Sequence, residues 1–220
     1  MKMHNILLSQ GINYLDRFSN NAKIIVKDDS ILNVINLGLS LDLDINIEKN
    51  SKLTLNIFDF DENIKINIKV QSDDNSKFIM NSSFIAEGLY EMNIDANLYG
   101  NNIVNEVNIR GINEKNGNVK ITMNGLVAGE TNNNVISEYA KIINKSDESN
   151  VLIPNLIVNT CDVVANHGVS VGTYDKDELF YLRCKGLSLE NAKRIIEEGF
   201  LLSIMDDDMK EKIKNILLGR

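Results

Sequence analysis

The densest grouping of chemically able side chains lies in Asn159-Thr-Cys-Asp-Val-Val-Ala-Asn-His-Gly-Val-Ser-Val-Gly172. It holds a thiol at Cys161, a carboxylate at Asp162 and an imidazole at His167. These are soft and borderline metal ligands. Blander readings stand beside that one: Cys161 as a small buried apolar side chain, and His167 as a histidine that stabilises a turn. In a strand, Cys161, Val163 and Ala165 share one face, and Asp162, Val164 and Asn166 the other. Cys161 and Asp162 therefore point at one ligand only if the strand bends. His167 is expected at the end of that strand, where Gly168 lets the chain turn.

Other chemistry finds little footing. No Gly-x-x-x-x-Gly-Lys-Ser/Thr loop occurs, so no ATP site is indicated in this chain, and a Cys–His pair alone is weak support for nucleophilic hydrolysis. The ligand count is too low for a metal-using hydrolase. His4 reads as incidental, Cys184 as helix packing, and Arg110 and Glu138 as solvated surface charge.

The elements that must position these residues fall into two regimes. From about residue 23 the period is two: Leu39, Leu41, Leu43, Ile45 and Ile47; Leu53, Leu55 and Ile57; Ile64, Ile66, Ile68 and Val70; Tyr90, Met92, Ile94, Ala96 and Leu98; Val119, Ile121 and Met123. Each set predicts a strand with one apolar and one wet face. Asn-rich turn clusters separate them, as at 48–51, 72–76, 100–102, 113–118 and 129–134. A sandwich or a β-solenoid fits. The absence of intervening helices and the polar outward asparagines, which can form ladders when stacked, favour the solenoid. Before it, residues 1–22 are weakly patterned, with Ile6, Leu7, Leu8, Ile12, Leu15 and Phe18 suggesting a short helix or an irregular lead-in.

After residue 172 the period becomes helical. Asp175–Cys184 opens with acids and is stopped by Lys185-Gly186; Ser188 caps a second helix that Gly199 ends; Asp206–Leu218 carries Met209, Ile213, Ile216 and Leu217 along one side. The expected layout is a lead-in (1–22), a β-solenoid core (23–172) and a C-terminal helical subdomain (173–220).

Composition narrows the function classes. The 220 residues carry 23 Lys and Arg against 31 Asp and Glu, a net charge of −8. That balance argues against nucleic acid and against an anionic membrane surface as partners. With 43% hydrophobic residues the chain is ordinary globular material. Two cysteines make no disulfide framework, and the start has no signal-peptide stretch, so a cytoplasmic protein with reduced thiols is expected.

Several motifs occur together between Ile153 and Phe200: Ile153-Pro-Asn-Leu-Ile-Val158, Asp162-Val163, His167-Gly-Val-Ser-Val-Gly172, Glu178-Leu-Phe-Tyr-Leu-Arg183 with Lys185-Gly-Leu187, then Ala192 and Glu198-Gly-Phe200. In that order they resemble the SufB/SufD family, with a looser likeness back to Tyr90 through Leu98-Tyr-Gly100 and Gly125-Leu-Val-Ala-Gly129. The chain is short for that family, and His167-Gly168 is similar to the SufD branch. Glu148 stands near where SufB has its cluster-linked cysteine, and Ala165 where many SufD chains have Cys.

The resemblance implies an all-β body, a right-handed parallel β-helix, followed by a small α-helical subdomain. It implies a scaffold, not an enzyme, in a SUF-type iron–sulfur cluster assembly complex. The implied partners are a SufC-like ABC ATPase and a second scaffold chain, identical or a longer SufB-like one, paired through the β-helix. The residues expected to meet the ATPase are Glu178, Leu179, Phe180, Tyr181, Arg183, Ala192 and Phe200. His167 and Cys161 are the candidate metal ligands for a transient iron–sulfur cluster. The alternative is a β-solenoid interaction module without a cluster role.

Overall fold

The computed structural model describes residues 4–15, 21–36, 38 and 40–219. Phe18 and Leu39, both assigned from sequence pattern, lie outside the described residues. Fourteen strands are described: β1 (His4–Leu7), β2 (Gly11–Tyr14), β3 (Asn21–Val26), β4 (Ser30–Asn36), β5 (Leu41–Ile47), β6 (Lys52–Asp61) and β7 (Ile64–Ser72). They continue as β8 (Lys77–Ala86), β9 (Leu89–Leu98), β10 (Val104–Asn113), β11 (Asn118–Val127), β12 (Asn134–Asn144), β13 (Asn150–Val158) and β14 (Val163–Gly172). Odd strands form one seven-stranded sheet in chain order and even strands form the other, and every pairing is parallel. The body is therefore a β-solenoid in which each coil contributes one strand to each sheet. Its coils lengthen along the chain: His4 pairs with Ala22, but Val119 pairs with Asn150.

Among its described residues the lead-in is strand and not the short helix or irregular segment expected. Residues 4–7 and 11–14 are strands that close the sheets at their first rung. Short strands of four residues give too few alternations to show a period in sequence.

Between the sheets the inward side chains stack rung on rung. Leu43, Ile68, Ile94 and Met123 lie on successive odd strands and are at most 1% exposed. Burial of such side chains supplies about 1.5–3 kcal/mol each. Phe84 and Tyr90 stack at 3.8 Å inside the core. Gly111 sits against that pair, where a Cβ would come 2.2 Å from the Phe84 ring.

The asparagines act as ladders. In the corners, Asn50, Asn75, Asn102 and Asn133 all take positive φ and pass hydrogen bonds of 2.8–3.0 Å up the stack. Asparagine tolerates that backbone conformation where most residues do not. On the outer face of the even sheet, Asn108 donates to Asn81, Asn81 to Asn56, and Asn56 to Asn33.

Three helices, α1 (Lys176–Cys184), α2 (Leu189–Leu202) and α3 (Asp207–Leu218), follow the last strand and cover the even sheet's outer face. An apolar ladder of Phe60, Ile85, Ile112 and Ile143, in register across β6, β8, β10 and β12, lies beneath Ile196, Leu201, Leu179 and Leu182. Phe58 lies beneath Leu202, Met209 and Ile213. Polar ties reinforce the docking: Asn56 donates to Asp206 at 2.7 Å, Asn33 to Asp208 at 3.0 Å, and Ser83 to the Leu201 carbonyl at 2.6 Å. Gly199 does not end α2, because Leu201 and Leu202 are buried and hold one more turn. Ser188 caps α2 as expected, while Asp175 and Asp206, expected as the first helical residues, are the N-caps of α1 and α3. None of the helices is long and apolar enough to cross a membrane.

Candidate functional site

β13 and β14 terminate the two sheets, so each is hydrogen-bonded on one side only. Core-facing side chains that are buried on earlier rungs are bare here, with Val171 45% and Val169 39% exposed, and the outer faces of the same strands carry exposed Ile157, Val164, Val151 and Ile153. An open edge of parallel strands with apolar side chains is a ready surface for another chain.

His167 lies on this last rung. It is not at a strand end, since β14 continues to Gly172. Gly168 is accordingly no turn glycine; it makes room for Tyr139, whose ring would stand 3.1 Å from a Cβ there. The turn role for His167 falls with that geometry. Its ring is exposed, in register with Glu138 of β12.

Cys161 occupies the bend between β13 and β14, outside both strands, and its thiol is exposed rather than packed. Val163 to His167 alone spans about 13 Å at strand rise, so one chain does not bring Cys161 and His167 to one ion. Among the described residues no group of three or more His, Cys, Asp or Glu is poised to hold a metal. Ala165 shares its strand face with His167 and pairs with Ile136.

The residue that sequence reasoning missed is Glu138. Far from solvated, it is 0% exposed, and neither carboxylate oxygen has a hydrogen-bond partner. Burial pushes its carboxyl up to about 7. It faces the core with Ile136 and Ala140, and Gly125 opposite leaves it space: a Cβ at Gly125 would stand 3.0 Å from Oε1. The available sequence signal was its place in the alternation Ile136, Glu138, Ala140, Ile142. Arg110 is also not a surface charge. It is half-buried, its guanidinium lies 5.6 Å from the centre of the Phe200 ring, and burial lowers its pKa. With Lys141, its neighbour on β12, it lines a groove of about 670 Å³ between the even sheet and α2.

The expected partner-binding residues separate by exposure. Glu178, Phe180, Tyr181 and Arg183 are exposed on α1, which buries no residue fully; Phe180 is 71% and Tyr181 60% exposed. Leu179 and Phe200 are half-buried in the apolar layer on the sheet. Ala192 is 0% exposed and serves packing, so it offers nothing to a partner. Cys184, expected to pack, is exposed at the end of α1.

A parallel solenoid with this helical tail can be compared with known families. The family model described as SUF system FeS cluster assembly, SufBD core domain, matches residues 18–200. The chain belongs to the SufBD family. The match takes in β3 to β14, α1 and most of α2. Among curated proteins the chain is similar to the iron–sulfur cluster assembly protein SufD of Bacillus subtilis, 32% identical over 94 residues, which are 38% of this chain and 22% of that one. It is similar to SufD of Escherichia coli, 30% identical over 91 residues (41% and 20% of the two chains). It also resembles SufD of Plasmodium falciparum, 35% identical over 68 residues (30% and 5%). The similar segments thus span under a quarter of each SufD relative.

Proposed function

We propose that this SufBD-family chain is a scaffold component of a SUF-type iron–sulfur cluster assembly complex and not itself an enzyme. It docks a SufC-like ABC ATPase through its C-terminal helices and pairs with a second scaffold chain through the last rung. It works in the cytoplasm, and the cluster is transient cargo. The observation that carries the reading is the bare aromatic pair Phe180 and Tyr181 on a helix seated firmly on the solenoid. Aromatic anchors flanked by charge, here Glu178 and Arg183, are what a protein interface uses. The open edges of β13 and β14 supply the second contact. A self-complementary edge suits a two-fold homodimer; a longer SufB-like chain offering the same edge gives a heterodimer.

Removing residues 175–220 is a poor test, because it would strip the cover from Phe60, Ile85, Ile112 and Phe58. The test is the double variant Phe180→Ala, Tyr181→Ala in co-purification with a SufC-like ATPase. Loss of binding with an unchanged melting curve is expected; full binding by the folded variant rejects the docking surface. The alternative, an interaction module without a cluster role, is distinguished by anaerobic reconstitution with iron and sulfide. Cluster formation on the assembled complex favours the scaffold, and none favours the module.

A further inference from the structure

We propose that the groove between the even sheet and α2 binds a small organic monocarboxylate with an apolar body, held at its head by Arg110 and Lys141. The inference is independent of the scaffold role. Both cations stand in one outward-facing row of the even sheet. Arg110 of β10 is the register partner of Lys141 of β12, and Lys141 that of Ser170 of β14. Neighbouring strands stand about 4.8 Å apart, so two positive charges lie side by side and repel. The odd sheet handles charge differently: its row Lys23, Asp44, Lys69, Asp95 alternates in sign from strand to strand. Among the described residues no acid forms an ion pair with Arg110 or Lys141. Lys145, just past the end of β12, is by contrast held by Glu114 at 2.8 Å and Glu197 at 3.0 Å.

The guanidinium is the sign that an anion from outside belongs there. The chain has 31 acidic side chains against 23 basic ones, yet half-buried Arg110 pairs with none of those described. It donates to the Ile109 carbonyl at 3.2 Å and lies over the Phe200 ring. A guanidinium carries five N–H donors in a planar fork, which matches the two oxygens of a carboxylate. Its burial is costly without a counter-ion. Ser170 adds a hydroxyl at the exposed end of the row, and Ile195 and Phe200 line the groove from α2 as its apolar wall. Gly199 lines it too. Glycine inside a helix is destabilising relative to alanine, and this one has no positive φ to require it. A Cβ there would meet nothing within 4 Å, so packing does not require it either. What the missing side chain leaves is open groove, and the Glu198-Gly-Phe200 motif thereby gains a use. Charge and volume select the ligand. At about 670 Å³ the groove is of small-molecule size. Asp175 and Glu178 line it from the α1 side, and Asp175 is engaged in capping α1 through the Asp177 and Glu178 amides. Their negative charge opposes a second charge on the ligand, which favours a monocarboxylate over a phosphate dianion.

The experiment is calorimetric titration of the full chain with three probes: phenylacetate, its uncharged analogue 2-phenylethanol, and inorganic phosphate. Wild type is expected to bind phenylacetate saturably, with 2-phenylethanol and phosphate each at least about tenfold weaker. Arg110→Gln should weaken phenylacetate binding at least about tenfold, and Lys141→Gln about threefold. Arg110→Lys, which keeps the charge and loses the fork, should not restore it. Gly199→Leu, where the added side chain enters open space, should keep the melting curve and block the groove. That variant, and the comparison of probes on wild type, decide the matter even where an Arg110 variant fails to fold. The proposal is overturned by the absence of saturable phenylacetate binding at millimolar concentration, or by phosphate binding tighter than phenylacetate. Undiminished phenylacetate binding in folded Arg110→Gln or Gly199→Leu overturns it equally.

Discussion

The middle rungs and the last rung have the same alternation and opposite fates. Ile94 in β9 has a strand on either side and is 0% exposed; Val171 in β14, also core-facing but with a strand on one side only, is 45% exposed. In a stacked solenoid, burial is a property of neighbours and not of the residue, because each rung serves as the cover for the one before it. The last rung is therefore where apolar surface and backbone hydrogen-bonding capacity are left over for a partner. A polar side chain sealed just beneath it, such as Glu138, stands at the boundary between core and interface.

Changes that weigh one region against the other sharpen this contrast. The largest effect is expected for Ile94→Ala, a cavity in a fully paired rung, at about 2–5 kcal/mol. Val171→Ala, on the core-facing side of the last rung, should cost under about 1 kcal/mol in the isolated chain. Urea unfolding of both variants checks the pair; equal losses would mean the last rung is covered in solution.

Glu138 predicts a pH dependence of opposite slope to an ordinary paired acid. Its folded pKa of about 7 lies above the usual carboxylate value of 4.5. As pH rises from 4.5 to 7, the unfolded chain gives up this proton while the folded chain keeps it. Stability therefore falls across that window and levels off above it. At about 1.4 kcal/mol per pH unit the loss approaches about 3 kcal/mol. Denaturant midpoints of wild type minus those of Glu138→Gln, measured without metal, isolate the slope. A flat difference would show that the carboxyl is satisfied or solvated.

Asn56→Ala should cost about 1–3 kcal/mol, since it breaks bonds to Asn33 and Asp206 and strands the amide of Asn81. Asn155→Ala, at the exposed end of the ladder from Asp95 through Asn124, should change stability by less than about 0.5 kcal/mol. Smallest of all, Gly168→Ala should be nearly silent in the chain alone. Tyr139 is 40% exposed and its ring can yield the few tenths of an ångström required. Thermal melts of the Asn and Gly variants order them.

Much of the body was legible in the chain, and what was missed had a physical cause. The cleanest alternation lies in β5, β7, β9 and β11, all in the odd sheet, whose outer face meets water. β8, β10 and β12 escaped because the even sheet carries apolar residues on its outer face too. Ile85, Ile112 and Ile143 serve the helices rather than the core, and this blurs the period. Gly199 misled for the same reason: local propensity favours a stop, but the burial of Leu201 and Leu202 outweighs roughly 1 kcal/mol of glycine cost.

The sequence by itself determined the local rules: period two in the body, Asn-rich corners that accept left-handed backbone, three capped helices at the end, and the SufBD motifs between Ile153 and Phe200. These depend on interactions between residues a few positions apart, which spacing records directly. Only the tertiary structure decided which neighbours each rung has. It buried Glu138 and Ala192, bared Phe180 and Tyr181, set Cys161 apart from His167, and put His167 one strand from Glu138, although 29 positions separate them in the chain. Register between rungs depends on coil length, which changes from coil to coil, so no fixed spacing in the sequence could encode those contacts.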